Sequence, residues 1–481
     1  MKNGQSEIFS NSVFWAFALS MIYWAYLFFT AVPSIVHDAI GYEDLGRVLS
    51  REGWLKYFQT GPNREPLYPL LISISMSIAD IFSISYIPIQ KLLQICLLFG
   101  TQILSLGLLK KLGIKDALAA WVVLYIGLSP AMVNSALSLF SEITAYPLIL
   151  GIMYALVKAW RSILRADSAL KMALLALGTG LLFMLIISVK AIFEYLFLII
   201  LLPFLMLIFY SFRQKNRQLA MSAITYTVIT FCSVALFLHA FKAMNQKHNG
   251  IYAFTNRGAW MLYGTVERRL VQMTPRKIFA ALAMVPGDGV CNALFGKEEC
   301  YHWTFDQTMN LGVEKLGELD ALGVPPGRID AKLIELSKNR ILDNPLQYGF
   351  LHLVEGGRMF FWESTQVGFV TYPAWLSQLF LFAPFKNGLR LITGSLTAAA
   401  FFYLFVFICR NKKLLLSTDH GDSEKVQLCF FLFLTIFIFI QLYSFFCILT
   451  RYSFPIAPLY ILGISFLLQR MAAGRAEVRK P

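Results

Sequence analysis

The sequence predicts an all-α polytopic membrane protein of about ten transmembrane helices, with an interfacial first outer loop and one large periplasmic loop domain. Three observations predict it. Of the 481 residues, 57% are apolar and only 15% charged, which is not the composition of a soluble chain. The apolar residues lie in runs of roughly twenty with almost no charge, matching the bilayer core, where only backbone-satisfied helices can stand. The basic residues lie in the short loops between those runs.

The first run, residues 12–36, is too long for a signal-peptide core and lacks a small-residue cleavage site, so it reads as an uncleaved anchor. A first outer loop follows over residues 37–86. Within it, LYPLLISISMSIADIFSIS (residues 67–85) is apolar enough to span, but a crossing there would turn the basic loops KKLGIK, KAWRSILR and SFRQKNRQ outward. The segment is therefore expected to lie at the interface or to re-enter, carrying Asp80. Further crossings are expected at 87–109, 117–140, 143–160, 172–189, 191–212 and 219–241, then at 387–409, 426–450 and 452–470. The chain thus divides into an N-terminal transmembrane module (1–241), a loop domain (242–386), and C-terminal helices with a tail (387–481). In the loop domain, Gly and Pro in MVPGDGV and LGVPPGR separate short elements. RIDAKLIELSKNRILDNP reads as an amphipathic helix closed before Pro345, and the aromatic-rich stretch 345–385 is expected on the membrane or against the bundle.

The formal charge of +14 raises the question of a nucleic-acid partner. It is excluded by where the charge sits. The loops above, RNKKLLLSTDHGDSEK, QRMAAGRAEVRK and the N-terminal tail hold most of the excess and share one side in the ten-crossing topology. The positive-inside rule then makes that side, and both termini, cytoplasmic. Five of the seven cysteines fall in or beside apolar spans, as small hydrophobes do. Cys291 and Cys300 share the long outer loop, where CNALFGKEEC closes as a disulfide if that side is oxidising and otherwise holds two thiols.

No Walker loop, dinucleotide fingerprint, HExxH or GxSxG element is present, and the scattered histidines offer no metal set. The turning points of the longest apolar stretches are more informative. Residues 117–160 turn near Glu142, 172–212 near Lys190 and Glu194, and 426–470 near Arg451, all on the outer side. The first loop adds His37, Asp38, Tyr42, Glu43 and Arg64 to that face. Fixed cations at a membrane boundary suit a lipid phosphate, Arg by a planar fork and Lys as a point charge. Each residue also has a plainer reading. Lys190, Arg451 and Arg64 can be snorkelling side chains, Asp38 the N-cap of a helix beginning near Gly41, Glu142 a helix cap, and Tyr42 an interfacial anchor.

At these residues the chain resembles the GT-C superfamily of polyprenyl-phosphate-sugar glycosyltransferases, in the branch of protein O-mannosyltransferases and lipid A aminoarabinose transferases. The resemblance is carried by HDAIGYEDLGRVLSREGW and NREPLYPLLISI after the first crossing, by SEITAYP, by ISVKAIF and by RYSFPIAPLY. Looser likeness extends to NRGAWMLYG and DNPLQYGFLHLVEGGRMFFW. A lone Asp38 followed by Ala replaces the family's acidic pair, and Lys190 stands where Arg is common.

The resemblance implies a membrane glycosyltransferase, inverting, that moves a sugar from a polyprenyl-phosphate donor to a lipid, glycan or protein acceptor on the non-cytoplasmic face; since the sequence carries no endoplasmic-reticulum signal, a bacterial inner membrane with a periplasmic active face is expected. Asp38 would be the general base, Lys190, Arg451 and Arg64 would hold the donor phosphate, and Tyr42, Glu43 and Glu142 would orient acceptor or base. No cofactor is implied beyond the donor, and the partners are membrane lipid, donor and acceptor. An O-antigen ligase or polymerase, working from the large loop, and a lipid or glycan transporter are the competing readings.

Overall fold

The computed structural model describes residues 11–365, 368–418 and 421–478. The residues before 11 and after 478, expected on the cytoplasmic side, lie outside the described residues. The first half comprises α1 (Asn11–Thr30), α2 (Asp38–Arg51), α3 (Gly53–Gln59), α4 (Leu67–Phe82), α5 (Tyr86–Lys111), α6 (Asp116–Leu128), α7 (Pro130–Leu137), α8 (Glu142–Leu164), α9 (Ala169–Ile187), α10 (Phe193–Ile200), α11 (Leu202–Arg213) and α12 (Arg217–Asn249). An intervening region holds α13 (Gly258–Arg269), α14 (Pro275–Ala283), α15 (Asp288–Phe295), α16 (Lys297–Tyr301), α17 (Phe305–Ala321), α18 (Pro326–Asp343), α19 (Pro345–Gly356) and α20 (Ala374–Leu381). The chain closes with α21 (Ala383–Arg410), α22 (Asp422–Phe446) and α23 (Ala457–Val478).

The described residues are all-helical apart from one two-stranded pairing, and the apolar helices make this an integral membrane protein. Among the described residues nine helices are long and apolar enough to cross a membrane, α10 and α11 running on as one, or ten if α6 and α7 are counted as a single span. That pair, which occupies the crossing expected over 117–140, is bent by 46°. The cause is Pro130, which has no N–H to donate and disfavours helix at the residue before it. The first crossing also stops early, at Thr30. Beyond it, β1 (Val32–Pro33) pairs antiparallel with β2 (Val370–Thr371), and the Ser34 N–H donates to the Phe369 carbonyl at 2.9 Å. The 67–85 segment forms α4, a helix of 16 residues that falls short of the length of a span.

Polar side chains tie the spans together where lipid offers no partners. Gln102 donates to the Val123 carbonyl at 2.8 Å, and Gln94 donates to the carbonyls of Ala136 and Ser138 at 2.9 and 2.7 Å, closing the end of α7. Trp24 donates to the Gly127 carbonyl at 2.8 Å. That approach needs a glycine: a Cβ at residue 127 would stand 2.1 Å from Ser20 Oγ.

One end of the bundle gathers the basic loops. Lys111 and Arg161 both pair with Glu424, Trp160 donates to the Leu415 carbonyl at 2.8 Å, and the Lys115 N–H donates to Gln469 at 3.2 Å. The opposite end carries α2–α4 and the region from residue 250 to 382.

That region packs around Ala280, Met284, Cys291, Cys300, Trp303 and Leu351. As expected, Gly and Pro stretches separate α14 from α15 and α17 from α18, and α18 ends before Pro345. The 345–385 stretch packs against the bundle: Tyr348 donates to the Phe445 carbonyl at 2.7 Å and Tyr372 to Asn134 at 3.1 Å. At its centre the buried Glu355 carboxylate joins Arg268 and Arg269, each at 2.5 Å. Burial works against the Glu355 charge, but Arg268 and Arg269 outweigh it and hold the carboxyl well below the ordinary glutamate range.

Cys291 and Cys300 form a disulfide, with Cα atoms 5.9 Å apart. Closing so short a loop restricts the unfolded chain by about 2–3 kcal/mol. The Cys291→Ser/Cys300→Ser protein is therefore expected to lose that much stability in this region. Chemical denaturation in detergent, with and without reductant, checks it: a wild type insensitive to reductant would remove the bond's role.

Candidate functional site

Asp38 is the first residue of α2, not the cap of a helix starting at Gly41. His37 before it holds φ at 50°, a left-handed conformation unusual for a residue with a Cβ. Both Asp38 oxygens are engaged. Oδ1 accepts from Arg64 Nη2 at 2.7 Å, Oδ2 pairs with Arg451 Nη2, and Arg257 Nη2 stands 3.9 Å from Oδ1.

Each cation is fixed by its own element. Arg64 lies in the linker between α3 and α4, where the Tyr57 hydroxyl donates to its carbonyl at 2.8 Å and its guanidinium covers the Tyr42 ring at 4.8 Å. Arg451 lies in the short 3-10 segment Thr450–Ile456 between α22 and α23, with its guanidinium 4.7 Å from the Phe140 ring and 5.8 Å from that of Phe369. Lys190 sits in the turn between α9 and α10, its Nζ 3.2 Å from Glu142 Oε1. Glu142 Oε1 is also 3.7 Å from Arg451 Nε.

The electrostatics keep these groups charged. Burial pushes the Asp38 carboxyl up, but Arg451 and Arg64 outweigh it and hold it well below the usual carboxylate range. Burial likewise opposes the Lys190 charge, and Glu142 outweighs it, so this ammonium titrates above the usual lysine value. Asp38 and Lys190 are both ionised throughout the neutral range.

The residues face a cavity of about 790 Å³ whose walls include Asp38, Arg64, Lys190, Arg257, Arg451 and Tyr452. The structure thus brings together Asp38, Tyr42, Arg64, Lys190 and Arg451 as the sequence led one to expect. Two expected residues stand elsewhere. Glu43 faces away, its carboxylate 3.0 Å from Arg47 one turn on along α2, so it does not orient an acceptor in this cavity. Glu142 is 1% exposed and lies behind Lys190 and Arg451, so it positions the two cations and does not touch what enters. Tyr42 lines the cavity, with its hydroxyl 3.0 Å from Ser141 Oγ.

Several residues of the site were missed. Glu65, beside Arg64, accepts the Ala191 N–H at 2.9 Å and so ties the first loop to the Lys190 turn. Lys242, from α12, pairs at 2.6 Å in the cavity wall with Glu194 of α10, which the turn after α9 had already placed on this face. Arg257 comes from the NRGAW stretch, and its charge next to a stretch already singled out was a usable signal. For Phe369 there was none, because only strand pairing with residues 32–34 delivers it to Arg451.

A cationic wall of three arginines and a lysine, with a carboxylate at its centre and aromatic residues around it, has the chemistry to meet a phosphate-bearing molecule with a hydroxyl or amine partner. Among the described residues no group of three or more His, Cys, Asp or Glu stands together to hold a metal ion. No family model, no curated protein and no solved structure matches this chain, so the chemistry of the cavity carries the functional argument.

Proposed function

We propose that the chain is a membrane glycosyltransferase of GT-C type that moves a sugar from a polyprenyl-phosphate donor to a lipid, glycan or protein acceptor. The observation that carries this reading is the convergence of Arg64, Arg451, Lys190 and Asp38, from three distant parts of the chain, on one cavity at one end of the bundle. The basic loops meet at the opposite end. By the positive-inside rule the cavity then opens on the non-cytoplasmic face, in a bacterial inner membrane the periplasmic face, with both termini cytoplasmic and residues 250–382 forming a periplasmic domain.

In this reading the acceptor's hydroxyl or amine attacks the anomeric carbon from the face opposite the phosphate. The bond from that carbon to the phosphate oxygen breaks with inversion, its electron pair leaves on the phosphate, and Asp38 takes the acceptor's proton. Arg451, Arg64 and Lys190 neutralise the charge that develops on the departing phosphate, a role that fixed donors in a dry site perform best. A transporter would hold its charged groups near the bilayer midplane, which disfavours that alternative.

The test is transfer of labelled sugar from a panel of polyprenyl-phosphate donors in membranes containing wild type or Asp38→Asn. Wild type is expected to transfer sugar, and Asp38→Asn to be slower by about 10²–10⁴-fold. Equal transfer by both would move the chemistry out of the first loop, and no transfer from any donor would count against the reading as a whole.

A further inference from the structure

The two guanidiniums best placed to hold a phosphate are already committed to Asp38. Arg64 Nη2 lies 2.7 Å from Oδ1 and Arg451 Nη2 pairs with Oδ2, so the carboxylate bridges, one nitrogen from each, the two guanidiniums that a phosphate would meet. Arg257, 3.9 Å from Oδ1, is the next cation the same anion would meet. Arg451 is not satisfied by this arrangement: its buried Nε makes no hydrogen bond, and neither does Glu142 Oε1 opposite it. Asp38 lines the cavity and retains 23% exposure of its side chain, so what enters the cavity can reach the carboxylate and its arginines.

We infer that Asp38 and the phosphate of the substrate compete for Arg64 and Arg451, so that an arriving phosphate takes the carboxylate's place and releases it into the cavity. This rests on the reading that the cavity receives a phosphate-bearing donor. Asp38 is then an internal counter-anion before it is a base. While paired to two guanidiniums each of its oxygens is engaged and the two positive charges suppress its basicity. Once those guanidiniums bind the phosphate, Asp38 loses the partners that suppressed it and can accept the acceptor's proton. Donor binding therefore precedes activation of the acceptor, and the order is enforced by two arginines shared between two anions.

A sign follows that an ordinary base would not give. Removing a catalytic base leaves substrate affinity unchanged or lowers it, whereas removing a competitor raises it. Binding of farnesyl phosphate to the full-length protein in detergent is the measurement. Asp38→Asn is expected to bind it at least about tenfold more tightly than wild type, the equivalent of one charge-assisted hydrogen bond no longer displaced.

Asp306→Asn is the control, because Asp306 lines the same cavity and its loss removes the same charge without freeing Arg64 or Arg451. Its gain is expected to be much smaller. Should Asp38→Asn fold poorly with its arginines unpaired, farnesyl phosphate is expected to raise its melting temperature more than that of wild type, reporting the same competition. Affinity of Asp38→Asn equal to or below wild type, or matched by Asp306→Asn, overturns the exchange. If that occurs while wild type still transfers sugar, the exchange alone falls; if no protein binds farnesyl phosphate, the donor reading falls with it.

Discussion

Arg451→Lys is expected to lower sugar transfer by about 10²–10³-fold, the cost of removing one fixed donor from a developing anion. The substitution keeps the charge and loses the geometry. Arg451 meets Asp38 with one nitrogen and faces Glu142 with another, and its flat guanidinium lies against the paired rings of Phe140 and Phe369. A lysine ammonium is a compact, strongly hydrated point charge that cannot span the two carboxylates or lie flat against those rings. The measurement is kcat/KM for transfer in proteoliposomes, with the melting temperature recorded in parallel. Loss of less than about threefold, with the fold intact, would remove Arg451 from the phosphate wall.

Glu355→Gln is expected to destabilise the 250–382 region by about 3–5 kcal/mol, because it leaves buried guanidiniums without their carboxylate. Glu355 is paired with both Arg268 and Arg269, and Arg358 lies close enough to feel its charge. A glutamine keeps the volume and one acceptor but cancels no charge. Native-state proteolysis reads the effect directly: cleavage in this region should rise by roughly two to three orders of magnitude, since 1.4 kcal/mol is tenfold. The same carboxylate gives a pH signature. Its folded-state pKa lies below its unfolded value of about 4.3, so its contribution is complete above that value and is lost as pH falls towards the folded one. Wild type should thus lose stability in acid more steeply than Glu355→Gln, and parallel acid profiles would discount the ion pairs.

The long spans were legible because an uninterrupted apolar run permits little besides a helix in lipid. The turns between them then fixed Lys190 and Arg451 to one end, which is why these two met in the structure as the sequence suggested. What failed to carry over was angular and long-range. Residues advance about 100° each around a helix, so Asp38 and Tyr42, four apart, share a face of α2 while Glu43 looks elsewhere. The sequence stretch around Glu142 looks like a helix start, and it is one, but nothing local tells whether such a carboxylate faces a cavity or stands behind the groups that line it. The bend at Pro130 was visible as a proline; that it would be stabilised, and by which group, was not. Phe369 and Arg257 reach the site only through contacts with parts of the chain far removed from them.

The stabilising group at that bend is Glu363. Its carboxylate accepts from the Tyr125 hydroxyl at 2.5 Å, the Ser129 hydroxyl at 2.9 Å and the Ala131 N–H at 2.9 Å, thus satisfying donors that the break between α6 and α7 leaves exposed. Ala131 precedes Glu363 by 232 residues. In hydrocarbon an unsatisfied backbone N–H costs several kcal/mol, so a nascent chain halted before Glu363 holds an open wound in its second pair of spans. Biogenesis of the bundle is therefore completed late: the bend between α6 and α7 gains its final partner only after the chain around Glu363 has been made and folded back, and a delay in that later segment is an assembly defect of the early helices themselves.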